Sequence, residues 1–157
     1  MRGPPASKAE QRRLTSTVHA LDHTSRLAEI AGEARGLQTP SDGTDEARAA
    51  ALCGRAMRSA MAAVNDIARE SALSGCATPI DALEPPSAGA PLETLEDCAR
   101  QLGQLAQGHR GPTLDKVGTG EITADQAMAR IETVRRLDAL SRHAWRAVAH
   151  LLGKGVG

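Results

Sequence analysis

The chain has no phenylalanine, no tyrosine and a single tryptophan in 157 residues. Aromatic side chains normally bury the most surface per residue, so any core must be built from Leu, Ile, Val, Met and a large share of Ala. Stacking platforms for bases are missing too. With 19 basic against 19 acidic residues there is no net charge to draw the chain to a polyanion, and together these speak against a nucleic-acid binder. Cysteine is scarce. Cys53, Cys76 and Cys98 are odd in number and lack the CxxC spacing of a zinc site or the pairing of a disulfide framework, which leaves free thiols in a reducing compartment. No apolar run approaches the roughly 20 residues of a membrane span, and MRGPPASKAEQRR has no apolar h-region of a signal peptide. Few stretches favour strand. Abundant Ala, the best helix former, predicts an all-α protein.

The periodicity predicts four helices forming an antiparallel bundle of long helices. The first spans about 7–35, with Leu14, Val18, Leu21, Ala28 and Gly32 as its buried stripe. The second opens after SDGTDEA and stops at Gly75. Met57, Ala60, Met61, Val64, Ile67 and Ala68 form its apolar face, and Asp45 and Glu46 suit the positive end of its dipole. The third starts near Pro91 with Leu92, Leu95, Ala99, Leu102, Leu105 and Ala106 facing inward, and is kinked by Pro112. The fourth is capped by Thr123 and runs to about Leu152, with a seam of Met128, Ile131, Val134, Ser141, Trp145, Val148 and Leu152. Short turns would make hairpins of helices one and two and of three and four. The expected organisation is a disordered N-terminus over 1–6, one bundle over 7–153 interrupted by a Pro/Gly-rich loop at about 75–91, and a disordered C-terminus over 154–157.

Several residues invite a chemical reading. His19 and His23, spaced i,i+4, share one face of the first helix and could chelate a metal. His143 and His150, spaced i,i+7, share a face of the fourth. Asp22, His23, Glu29, Asp138 and His143 are the candidate metal ligands. Against them stands the ordinary reading of a solvated face laced by pairs such as Asp22–Arg26 and Arg26–Glu29, each worth about 0.2–0.5 kcal/mol. Nothing resembles a nucleophile elbow, a phosphate loop or a metalloprotease motif, so the expectation is a non-enzymatic protein with no cofactor. Asp138 is the exception to pattern: it falls in the middle of the apolar seam, one heptad before Trp145. If it is buried against an Arg or His of a facing helix, such as Arg26 or His23, its removal should cost about 3–5 kcal/mol; if it is solvated at the edge of the stripe, the change should stay within about 0.5 kcal/mol.

LTSTVHALDHTSRLAEIAGEA and GEITADQAMARIETVRRLDALSRHAWRAVAHLL together resemble the PhoU-like cytosolic C-terminal domain of the bacterial sodium/phosphate cotransporter family. The likeness is carried by Gly120, Glu121, Ile122, Ala127, Arg130, Leu137, Asp138, His143, Trp145 and Arg146. It implies a PhoU-like helical bundle that modulates phosphate transport or phosphate signalling through protein contacts. The partner would be a transporter membrane domain or a sensor kinase, and the location the cytoplasm, at the inner face of the plasma membrane when a transporter is bound. The chain departs from the family's paired acids: Ser25 stands before Glu29, and Arg142 follows Asp138. Half of an oxygen-ligand set is thereby missing. The alternative is a generic helical-bundle adaptor or homodimerisation module unrelated to phosphate.

Overall fold

The computed structural model describes residues 7–33, 44–74 and 89–154. Four helices account for nearly all of them: α1 (Lys8–Glu33), α2 (Asp45–Ser74), α3 (Gly89–Gly118) and α4 (Ala124–Leu151). The expected disordered ends at 1–6 and 155–157, and most of the Pro/Gly-rich loop, lie outside the described residues. The loop's expected end at residue 91 is corrected, because Gly89, Ala90 and Pro91 already belong to α3. Pro in a first turn lacks only an N–H that has no helical partner there. Lys154, expected to open the loose tail, instead donates its N–H to the carbonyl of Ala149 (2.8 Å).

Local chemistry sets the helix limits. Thr123 caps α4 with a reciprocal capping box: its hydroxyl accepts from the Gln126 N–H (3.2 Å), and the Gln126 side chain accepts from the Thr123 N–H (2.9 Å). Gly120, at φ 77°, supplies the left-handed residue of the tight turn between α3 and α4. The helix α3 is continuous through Pro112. The carbonyl that proline would crowd belongs to Gly108, and no side chain presses on that glycine.

Helices α2, α3 and α4 pack pairwise as a three-helix bundle, and α1 lies along α4 alone. The expected hairpin of helices one and two is therefore not formed: the α1 backbone approaches neither α2 nor α3. Two joined clusters make the core. Ala56, Ala63, Leu92, Leu95, Cys98, Ala144, Val148 and Ala149 form one, with Trp145 half-buried at its edge. Ala49, Leu52, Cys53, Leu102 and Val134 form the other. Ala49, Ala56 and Ala63 recur every seven residues along α2 and have no exposed surface, so methyl groups set how closely α2 approaches its neighbours. That displaces the expected α2 face: Met57 and Ala60 are half-buried, while Met61 and Val64 point to solvent.

The α3 stripe is buried as expected at Leu92, Leu95, Ala99 and Leu102. On α4, Val134, Asp138, Ser141 and Val148 are buried, but Met128 is 62 % exposed. The largest departure is α1. Its expected inner stripe of Leu14, Val18, Leu21, Ala28 and Gly32 is wholly exposed. The helix instead turns Ser16, Ala20, His23, Leu27 and Ile30 toward α4. The two stripes are offset by two positions, or about 200° of helical rotation, and so lie on opposite sides.

Candidate functional site

Four of the chain's five histidines meet where α1 crosses α4. The helices run antiparallel, so the i,i+4 pair His19 and His23 on α1 comes against the i,i+7 pair His143 and His150 on α4. The His150 ring stacks on His19 (centroids 5.0 Å apart) and on His23 (5.6 Å), so it lies between the two. His23 Nδ1 is 3.1 Å from His143 Nδ1, close enough for one ring to donate to the other when their tautomers differ. At the far end of α1, Arg136 of α4 donates to the Glu33 carbonyl (3.1 Å), satisfying a terminal acceptor of the helix.

The electrostatics of this seam favour the neutral form of His23, His143 and His150. His23 is held below the ordinary histidine value by burial, and further by His143, Arg146 and His150, with Asp22 opposing. His143 is lowered by burial, then by Arg146 and Arg142, again with Asp22 opposing. His150 is lowered by burial, His19 and Arg146. Of the expected metal candidates, the structure thus gathers Asp22, His23 and His143 at one place. Glu29 stays on the exposed side of α1, paired with Arg26 (3.0 Å). Asp138 lies in the bundle interior. Stacked rings do not converge their lone pairs on a point, and among the described residues no three His, Cys, Asp or Glu side chains are arranged to hold a metal ion.

Asp138 is buried on the α4 seam, 7 % exposed, but its partner is Arg142 of its own helix and neither Arg26 nor His23. Its Oδ2 accepts from Arg142, while among the described residues its Oδ1 is buried without a hydrogen-bond partner; the buried Ser141 hydroxyl lies one turn on. A Cβ added at Gly103 would sit 3.6 Å from that Oδ1, so α3 presents its smallest residue to the carboxylate. The neighbouring Cys53 thiol is pushed up by burial, partly offset by the Ser141 hydroxyl. Arg142 is half-exposed, so losing Asp138 leaves a cation that water can solvate, not a stranded one. Asp138→Ala should therefore cost about 1–2 kcal/mol, below the 3–5 kcal/mol of a fully buried pair. Urea unfolding followed by Trp145 fluorescence measures it.

A second polar group at the opposite end of the bundle was missed by sequence reasoning. Buried Glu46, at the start of α2, lies 3.7 Å from both His109 Nε2 of α3 and Arg130 Nε of α4, and Asp45 lies 3.3 Å from His109 Nδ1. Thr113 Oγ1 is 3.2 Å from His109 Nε2. The hydroxyl–imidazole–carboxylate order has the look of a catalytic triad, but Thr113 is 4 % exposed and its hydroxyl donates to the His109 carbonyl (2.7 Å). The group ties three helices together. Its signal was present: Glu46 precedes Ala49, Cys53 and Ala56 at 3–4 spacing, an acid in an apolar stripe as at Asp138.

A shallow cleft of about 370 Å³ between α2 and the start of α3 is lined by Arg55, Arg58, Ser59, Ala62, Ala90, Pro91 and Thr94. Among the described residues no helix is long and apolar enough to cross a membrane. No family model matches the chain, and neither the curated proteins nor the solved structures include a match to it.

Proposed function

We propose that this protein is a non-enzymatic helical module that works by protein contact, with α1 as its contact element. One observation carries this reading. The helix α1 is already packed on α4 by one side, yet its opposite side carries Leu14, Val18 and Leu21, exposed to 57 %, 56 % and 63 %. A helix that is apolar on two opposite sides has a second surface to cover. The sequence expectation of a buried stripe here becomes the expectation of a partner. The histidine seam then fixes how α1 is presented, because α4 is its sole support among the described helices.

A photoreactive amino acid placed at Val18 should form covalent protein adducts in cells, whereas one at the exposed Arg69 of α2 should not. Absence of adducts at position 18 would sink the reading. Replacing Leu14, Val18 and Leu21 together by Gln should leave the helical content and Trp145 emission unchanged, since these exposed side chains hold nothing together among the described residues. The finer reading, a PhoU-like domain that modulates phosphate transport through a transporter membrane domain or a sensor kinase, is supported by the resemblance in α1 and α4 alone. It expects altered phosphate uptake in cells lacking the protein; unchanged uptake in phosphate-limited and phosphate-replete medium would remove it.

A further inference from the structure

We infer that the partner of the outer α1 stripe is α1 of a second copy of this chain, in antiparallel orientation. The inference rests on α1 being the contact element, and adds the identity and the direction of what it contacts. Leu14, Val18 and Leu21 follow the 4-3 spacing of a coiled-coil seam, which Ser25, Ala28 and Gly32 continue with small residues. All six are exposed. The bulky part of the stripe is centred on Val18. Two such helices related by a two-fold axis near Val18 place Leu14 of each against Leu21 of the other, and bury both apolar segments at once. A two-fold contact of this kind is self-complementary and closes at two copies.

Charge selects the direction. The first part of α1 carries Lys8, Arg12 and Arg13 against one acid, Glu10; the last part carries Asp22, Glu29 and Glu33 against one cation, Arg26. Parallel pairing would set cations on cations and acids on acids. Antiparallel pairing about Val18 sets Lys8 near Glu29 of the other copy. Lys8, Asp22 and Glu29 share one flank of the seam, seven residues or a multiple apart, where charged residues decide partner and orientation. The opposite side of α1 stays on α4, so pairing requires no change in the histidine seam.

The contact is one helix per copy, which falls at the small end of specific interfaces. Sedimentation equilibrium of the purified full chain over a micromolar concentration series should show the mass rising from 16.4 kDa toward twice that value. Val18→Glu should hold it at the monomer mass, with wild-type helicity and Trp145 emission showing that the fold is intact. The milder Val18→Gln should weaken association in the same direction. Lys8→Glu and Glu29→Lys should each weaken dimerisation about three- to tenfold, since each acts at both ends of the pair, and a mixture of the two variants should recover it.

A mass of one chain across the series overturns the inference. Persistence of the dimer in Val18→Glu also does, since another face would then be responsible. Strengthening by Lys8→Glu would mean parallel pairing and overturns the direction. Adducts at position 18 with a different protein, from a chain that stays monomeric, would leave α1 as the contact element while removing the second copy. Absence of any adduct would remove both.

Discussion

Truncating Leu102 to alanine lowers the stability of the bundle by about 3–4 kcal/mol, a large part of the 5–15 kcal/mol that holds a typical domain. Leu102 has no exposed surface and sits among Ala49, Leu52, Cys53 and Val134. In a core without phenylalanine or tyrosine, its few large aliphatic side chains fill the space that aromatics would otherwise occupy. Of its neighbours, Ala49 and Cys53 are short. Alanine cannot swing into a void, and α2 is already as close as its Ala49, Ala56 and Ala63 methyls allow. The hole left by Leu102→Ala therefore stays open, and the cost includes the cavity as well as the lost transfer of the side chain from water. Leu95, equally buried in the neighbouring cluster, should behave alike. Urea midpoints read from Trp145 fluorescence, with an unchanged slope, decide the matter; a loss under 1 kcal/mol would mean that the helices collapse around the gap.

Acidification detaches α1 from α4 while α2, α3 and α4 remain folded. Docking holds His23, His143 and His150 below the ordinary value of 6.5, first by burial and then by neighbouring positive charge. A histidine whose docked value is lowered binds protons more readily when released. Its contribution to docking is complete above 6.5 and is lost as pH falls through the lowered values. The groups facing the seam are mostly cations or potential cations: His19 and Arg26 on α1, and Arg142 and Arg146 on α4. Asp22 is the acid that opposes them. Protonation thus adds positive charge to a positive seam, on a helix with one fully buried residue, Ala20.

Hydrogen exchange compared at pH 7.5 and pH 5, after correction for intrinsic rates, should show α1 amides losing protection together and the bundle amides keeping theirs. His23→Gln with His143→Gln should remove most of the pH dependence. Uniform loss of protection across all four helices would mean instead that acid acts on the whole fold.

Much of the architecture could be read from residues. The lack of strand formers and the 3–4 spacing of apolar residues gave four helices, because helix formation is governed by local propensity and by one-sided burial. Thr123 marked the start of α4, a boundary that a short-range hydrogen-bond pattern fixes. The place of Asp138 in the α4 seam left burial and a solvated edge both open, and packing of α4 in the bundle chose burial.

The tertiary structure decided three further matters. The first was which side of α1 faces inward. Two stripes on opposite sides both satisfied helical periodicity, and the more apolar one lost the α4 contact to Ser16, Ala20, His23, Leu27 and Ile30. Periodicity reports that a side is suited to burial; it cannot report which surface covers it when a second contact is on offer. The second was the choice of partners for the buried charges. Arg142, one turn along the same helix, reaches Asp138 where a facing helix was expected, and Glu46 meets His109 and Arg130 from two other helices. The third was the histidine seam. The i,i+4 pair at His19 and His23 and the i,i+7 pair at His143 and His150 are each common helix spacings. They become a four-ring cluster only because α1 and α4 run antiparallel in register, and that register is a property of packing between segments more than 100 residues apart in the chain.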